Sequence, residues 1–130
     1  MTLLFEAYRI AHADQRYDTV GDWQAQTDGS CHITVSKMSD PRYEILVAIH
    51  ELVEATLCAE RGIKQSQVDA FDKLFESERA RGLHNPNREP GADPRAPYNR
   101  QHMIATAVEM ILANEMGVDW AKYEREVSEL

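Results

Sequence analysis

Apolar positions follow two different periods along this chain. From Cys31 to Met38 they alternate, with Cys31, Ile33, Val35 and Lys37 on one face and His32, Thr34, Ser36 and Met38 on the other, which is the period of a β-strand. Thr2–Ile10 mixes β-branched, aromatic and aliphatic residues with weaker alternation and predicts a first strand, although Leu3, Leu4, Tyr8 and Ala11 also fit helical spacing. A polar connection, His12 to Gly21, leads to a short strand over Asp22–Gln26. Asp28-Gly29 then marks a hairpin turn. The N-terminal third therefore predicts a small antiparallel sheet.

Beyond Met38 the period becomes helical. Ser39-Asp40-Pro41 is a helix start, a capping residue followed by proline at the first helical position, and Gly62 stops the helix after about Arg61. A second helix opens near Ser66, carries Val68, Phe71, Leu74 and Phe75 as its apolar stripe, and ends at Gly82. Between Asn85 and Pro97 the four prolines Pro86, Pro90, Pro94 and Pro97, with Gly91, predict an irregular loop, either a lid or a clamp. A third helix runs from Tyr98 or Asn99 to Gly117, and Asp119 caps a last one bearing Trp120, Tyr123 and Val127. Strands followed by helices in one chain of 130 residues predict a single α+β domain, the sheet packed on three or four helices.

Two of these helices carry polar residues in the wrong place. Ile45 to Cys58 is apolar on nearly every side except at His50, Glu51 and Glu54, and His50 and Glu54 share one face at i, i+4. The third helix repeats the pattern, with His102, Thr106 and Glu109 on one stripe among Met103, Ile104, Val108, Met110 and Ile111. Ionisable groups on a buried helix are costly unless paired or bound to metal. If the stripes face each other, His50, Glu54, His102 and Glu109 converge, and a His–Glu pair one turn apart is a natural chelate. A structural alternative stands beside this one: Glu51 or Glu54 pairs with Arg42 or Arg100, and the cluster only knits the helices together. A third arrangement is a carboxylate-bridged pair of metal ions between helices, as in ferritin-like proteins; the residue types fit it, the spacing does not, and Asp72 and Asp93 are its possible extra ligands.

His50-Glu51-Leu52-Val53-Glu54 resembles the zincin signature His-Glu-x-x-His, with Glu54 in place of the second histidine. The resemblance implies His50 as a metal ligand and Glu51 as the general base that activates water. Glu54 departs from the pattern, though a carboxylate is a legitimate zinc ligand. His102 is the first choice for the remaining ligand, with Glu109 beside it. The strand-then-motif-helix order also looks like a minimal zincin core. These features imply a metal-dependent hydrolase using a divalent ion, with zinc expected, on a peptide or small substrate.

A wider resemblance covers the whole chain. Gln15-Arg-Tyr-Asp-Thr-Val-Gly-Asp-Trp23, Arg42-Tyr-Glu-Ile-Leu-Val-Ala-Ile-His-Glu51 and Ala92-Asp-Pro-Arg-Ala-Pro-Tyr98 are similar to short uncharacterised proteins of phage and prophage type. That resemblance implies origin, not activity. It leaves open a non-enzymatic accessory protein that binds a host protein through its acidic surface.

Charge narrows the partners. A formal net charge of -8 argues against nucleic acid and against an anionic membrane surface. No apolar run is long enough to span a bilayer, and the N-terminus lacks the basic start and cleavage site of a signal peptide. Cys31 and Cys58 predict buried, reduced thiols, and the expected compartment is the cytoplasm.

Overall fold

The computed structural model describes all residues, 1–130. The alternating stretch becomes the central strand: β3 (Cys31–Ser36) lies between β1 (Phe5–Ile10) and β2 (Gly21–Ala25). β2 and β3 form the expected antiparallel hairpin, with Trp23 opposite Ile33. The Asp28 carboxylate accepts from the Ser30 N–H at 2.9 Å inside the turn.

β1 corrects the expectation of a wholly antiparallel sheet, because it pairs with β3 in parallel, Ala7 opposite Ile33. The polar connection explains the difference. Instead of turning β1 back on itself, it crosses over the end of β3 and is anchored there. His12 Nδ1 lies 2.8 Å from Ser36 Oγ, and Thr34 Oγ1 donates to Gln15 Oε1 at 2.8 Å. Ser36, on the polar face of its strand, is thereby fully buried.

Four helices follow: α1 (Pro41–Glu60), α2 (Gln65–Ala80), α3 (Asn99–Glu115) and α4 (Trp120–Glu129). Asp40 caps α1 by accepting from the Arg42 N–H at 2.9 Å. The helix closes with the Ile63 N–H bonded to the Cys58 carbonyl. α1 packs against β2, β3 and α3, and its Leu46 and Val47 join Ile33, Val35, Phe71 and Phe75 in one core. Side chains of this size contribute about 1.5–3 kcal/mol each when fully buried. No helix is long and apolar enough to cross a membrane.

The proline loop is tied down rather than loose. The Arg79 guanidinium donates to the carbonyls of Asn85, Pro86 and Arg88, at 3.2, 2.6 and 2.6 Å. Asn99 Nδ2 donates to the Gly91 carbonyl at 2.9 Å, which fixes the short turn Pro90–Ala92 on the start of α3.

α3 is turned inside out relative to its hydropathy. Its buried residues are Gln101, His102, Ala105, Glu109 and Ala113, while Met103, Ile104, Met110 and Ile111 are exposed. The apolar circumference thus does not mean burial on every side, since only one face of α3 meets α1. The two helices run antiparallel, as the pairs Arg42–Met116, His50–Glu109 and Glu54–His102 require. The small Ala105 and Ala113 are fully enclosed between them.

Candidate metal centre

Helical spacing sets the centre up. His50 and Glu54 stand one turn apart on α1, and His102 comes from the first turns of α3, facing them. All three are buried, at 8, 5 and 7% exposure. His50 Nε2 lies 3.2 Å from Glu54 Oε2 and 3.2 Å from His102 Nδ1, and the third side of the triangle, His102 Nδ1 to Glu54 Oε2, is 3.0 Å. This is the one group of three donor side chains in the protein close enough to share an ion.

The donor set can be tested against a metal. Tetrahedral zinc with bonds of about 2.0–2.1 Å holds its ligands about 3.3–3.4 Å apart. The observed sides would open by only a few tenths of an ångström to meet that. Two imidazole nitrogens and one carboxylate oxygen are also donor types that zinc accepts.

The outer atoms strengthen the case. His50 Nδ1 lies 2.7 Å from Glu109 Oε1, and His102 Nε2 lies 2.8 Å from Glu89 Oε2. A carboxylate can only accept, so each imidazole directs its N–H outward. When neutral, the two imidazoles therefore present inner lone pairs to each other and to Glu54. Three acceptors within 3.2 Å need a positive charge between them. In the absence of an ion it comes from protons, which Glu54 draws onto the inner nitrogens. A cation serves all three at once, and carboxylates on the outer nitrogens are the usual support of metal-bound histidines.

The electrostatics agree. Burial opposes a charged His102, but its bonds to Glu54 and Glu89 outweigh that and raise it from 6.5 to about 9. Burial likewise opposes a charged His50, and Glu109 and Glu54 hold it well above its usual value. For Glu54, burial is outweighed by the two histidines, which bring the carboxyl down to about 2. Its second oxygen accepts from Trp23 Nε1 at 3.1 Å, which leaves Oε2 for the centre.

Glu109, expected among the ligands, is on the far side of His50. It cannot join Nε2 of that ring in one ligand set, and it is held there by the Tyr123 hydroxyl. Asp72 and Asp93 are not ligands either: Asp72 accepts from Tyr98 and Tyr17, and Asp93 pairs with Arg95 at 3.0 Å. The arginines of the structural alternative are elsewhere, Arg42 on Asp40 at 2.7 Å and Arg100 exposed without an ion pair. Cys58 is buried, its thiol pushed up to about 12 by burial, and stands outside the donor group.

Glu51 differs from its neighbours. It has no hydrogen-bond or ion-pair partner, and burial, then the charge of Glu54, raises its carboxyl well above the usual range. It lines, with His50, Glu54 and His102, a cleft of about 830 Å3. An unpartnered carboxyl with a raised pKa in a cleft is the profile of a general acid or base.

Four contributors escape the sequence reading. Trp23 reads as a packing anchor and Tyr123 as helix packing, yet both bond a carboxylate of the cluster. Glu89 lies in the proline loop, where no periodicity marks it. Gly91 has the clearest signal, a glycine between prolines: a β-carbon there would be 2.4 Å from His102 Cγ and Nδ1.

Comparison with protein-family models, curated proteins and solved structures returns no match.

Proposed function

We propose that this protein is a metal-dependent hydrolase of minimal zincin type. His50, Glu54 and His102 would hold one divalent ion, zinc by their chemistry, and Glu51 is the general base. The observation that carries the reading is the triangle of three buried donors, backed by outward carboxylates and opening on a cleft that also holds an unpartnered Glu51. An ion held there would supply Lewis acidity, acidifying a water molecule and polarising a carbonyl or phosphoryl oxygen. Glu51 takes the proton of the attacking water and returns it to the leaving group. Trp23 and Glu109 keep Glu54 and His50 in their working orientations. A peptide or other small amide fits the zincin resemblance of His50-Glu51-Leu52-Val53-Glu54.

The test is elemental analysis of untagged protein purified without chelator, beside His50→Ala and Glu51→Gln. About one zinc per chain, lost in His50→Ala and kept in Glu51→Gln, supports the centre. Loss of hydrolysis in Glu51→Gln across a panel of amide and ester substrates then supports the base. No zinc in the wild type after reloading would sink the hydrolase.

A second reading has one observation behind it, the exposed apolar stripe of α3. It takes the chain as a phage-type accessory protein that docks on a host protein, the polar cluster serving only to join helices. A wild type that binds no zinc, yet melts lower when His50 is removed, favours that reading.

A further inference from the structure

Six carboxylates are buried in this protein: Asp22, Glu44, Glu54, Asp72, Asp93 and Glu109. Five have a cationic or imidazole partner. Asp22 pairs with Arg16, Glu44 with Arg9, Asp93 with Arg95, and Glu54 and Glu109 with the histidines of the centre. Asp72 is the exception. It is 8% exposed and has no Lys, Arg or His within ion-pair distance. A buried charge without a counter-charge is expensive, and folded proteins ordinarily pair it.

Two arginines on or against α2 are already committed. Arg16, the guanidinium that reaches α2, is bidentate to Asp22 at 2.7 and 2.9 Å. Arg79, one turn beyond Glu76, is spent on Glu76 and three loop carbonyls. Asp72 instead receives two phenol hydroxyls, Tyr98 on Oδ1 and Tyr17 on Oδ2. Each carboxylate oxygen keeps acceptor capacity beyond these bonds.

The location gives the gap a use. Asp72, Tyr17 and Tyr98 line the same cleft as His50, Glu51 and His102. Tyr98 bridges the two places, its hydroxyl on Asp72 and its ring centroid 6.4 Å from that of His102. A metal ion is a poor occupant, because Asp72 belongs to no second group of three donors. An organic cation needs only the carboxylate, which keeps acceptor capacity beside its two phenol partners.

We infer that Asp72 anchors a cationic group of the substrate, an ammonium or guanidinium, so that the cleft selects basic substrates and presents their neighbouring bond to the metal centre. The inference deepens the hydrolase reading and rests on it for the word substrate; the cation subsite itself does not require the metal. Asp69 and Glu76, on the same flank of α2, also line the approach but carry Arg16 and Arg79 as partners, which leaves Asp72 as the carboxylate without a counter-charge there. Asp72 is the specificity-determining residue; it performs no proton transfer.

The test uses the full chain, loaded with zinc and, in parallel, stripped by chelator, with zinc content measured on each sample. n-Butylguanidinium and its neutral isostere n-butylurea are titrated by calorimetry and by the carbon-13 shift of the Asp72 carboxyl. The guanidinium should bind about 10- to 100-fold tighter than the urea, as expected of a hydrogen-bonded charge. Asp72→Asn should abolish that preference without changing zinc content, and Asp69→Asn should leave most of it. Equal binding of the two probes, or a preference that survives Asp72→Asn, overturns the subsite. A guanidinium preference in protein that takes up no zinc would uphold the subsite and defeat the hydrolase. Should Asp72→Asn not fold, the wild-type carboxyl shift decides: movement with guanidinium and not with urea supports the proposal, and no movement refutes it.

Discussion

Gly91→Ala tests the centre from outside the ligand set. Gly91 has a negative φ, so alanine meets no backbone penalty there. The added carbon would be 2.4 Å from His102 Cγ and Nδ1 and 2.9 Å from its Cβ, where ordinary contact begins at 3.4 Å. The imidazole, the loop or both must move by about 1 Å, several times the tolerance of about 0.2 Å that a metal–ligand distance allows. Nδ1 is the proposed ligand atom, so the displacement falls on the bond that matters. Overpacking of this kind costs about 1–3 kcal/mol of folding stability. Zinc affinity should fall by at least the roughly 10- to 100-fold seen when a supporting partner is removed. Competition with a chromophoric chelator measures the affinity, and melting in excess EDTA measures the metal-free fold. Gly29→Ala is the control: φ is +88° there and nothing lies within 4 Å, so it should lower the melting temperature and leave zinc alone. Wild-type zinc affinity in Gly91→Ala, or an equal loss in Gly29→Ala, would refute the placement of His102.

Three more outcomes follow from the charges. Because His50 and His102 are held above their usual values without metal, zinc must displace their protons; calorimetry at pH 7 in buffers of different ionisation heat should show one to two protons released per ion, and a buffer-independent heat would contradict it. Asp72, raised by burial to about 6, is protonated more readily in the fold than in the unfolded chain. Wild type therefore carries a stability cost above pH 6 that is relieved as pH falls toward 3.8, so Asp72→Asn should melt higher than wild type at pH 7.5, with the gap closing near pH 4. Glu109→Ala and Glu89→Ala should each weaken zinc about 10- to 100-fold, the former more because Tyr123 clamps it while Glu89 is 53% exposed; unchanged affinity in both would remove their supporting role.

Much of the fold was legible because its signals are local. The Cys31–Met38 alternation, the Asp28-Gly29 turn and the Ser39-Asp40-Pro41 start depend only on neighbours, and each fell within a residue or two of its place. The convergence of His50, Glu54 and His102 was also readable, since misplaced polar residues on two apolar helices have one economical solution. Long-range facts were not. The parallel pairing of β1 depends on where Gln15 and His12 find partners on β3, and the outward Ile111 depends on how many layers cover α3. The i, i+7 spacing puts Glu109 on the right helix face but does not show which nitrogen it meets, and it lies on the outer side of the His50 ring. Glu89, Trp23 and Tyr123 enter from a loop, a strand and a fourth helix, beyond any single periodicity.

The reversed α3 has a calorimetric consequence. Heat-capacity change on opening tracks newly exposed apolar area. Separating α3 from α1 uncovers chiefly His102, Glu109, Gln101 and two alanines, with Leu112 the one large apolar side chain among them, since Met103, Met110 and Ile111 already face water. That opening therefore carries a small heat-capacity change, unlike loss of the Phe71–Phe75 core.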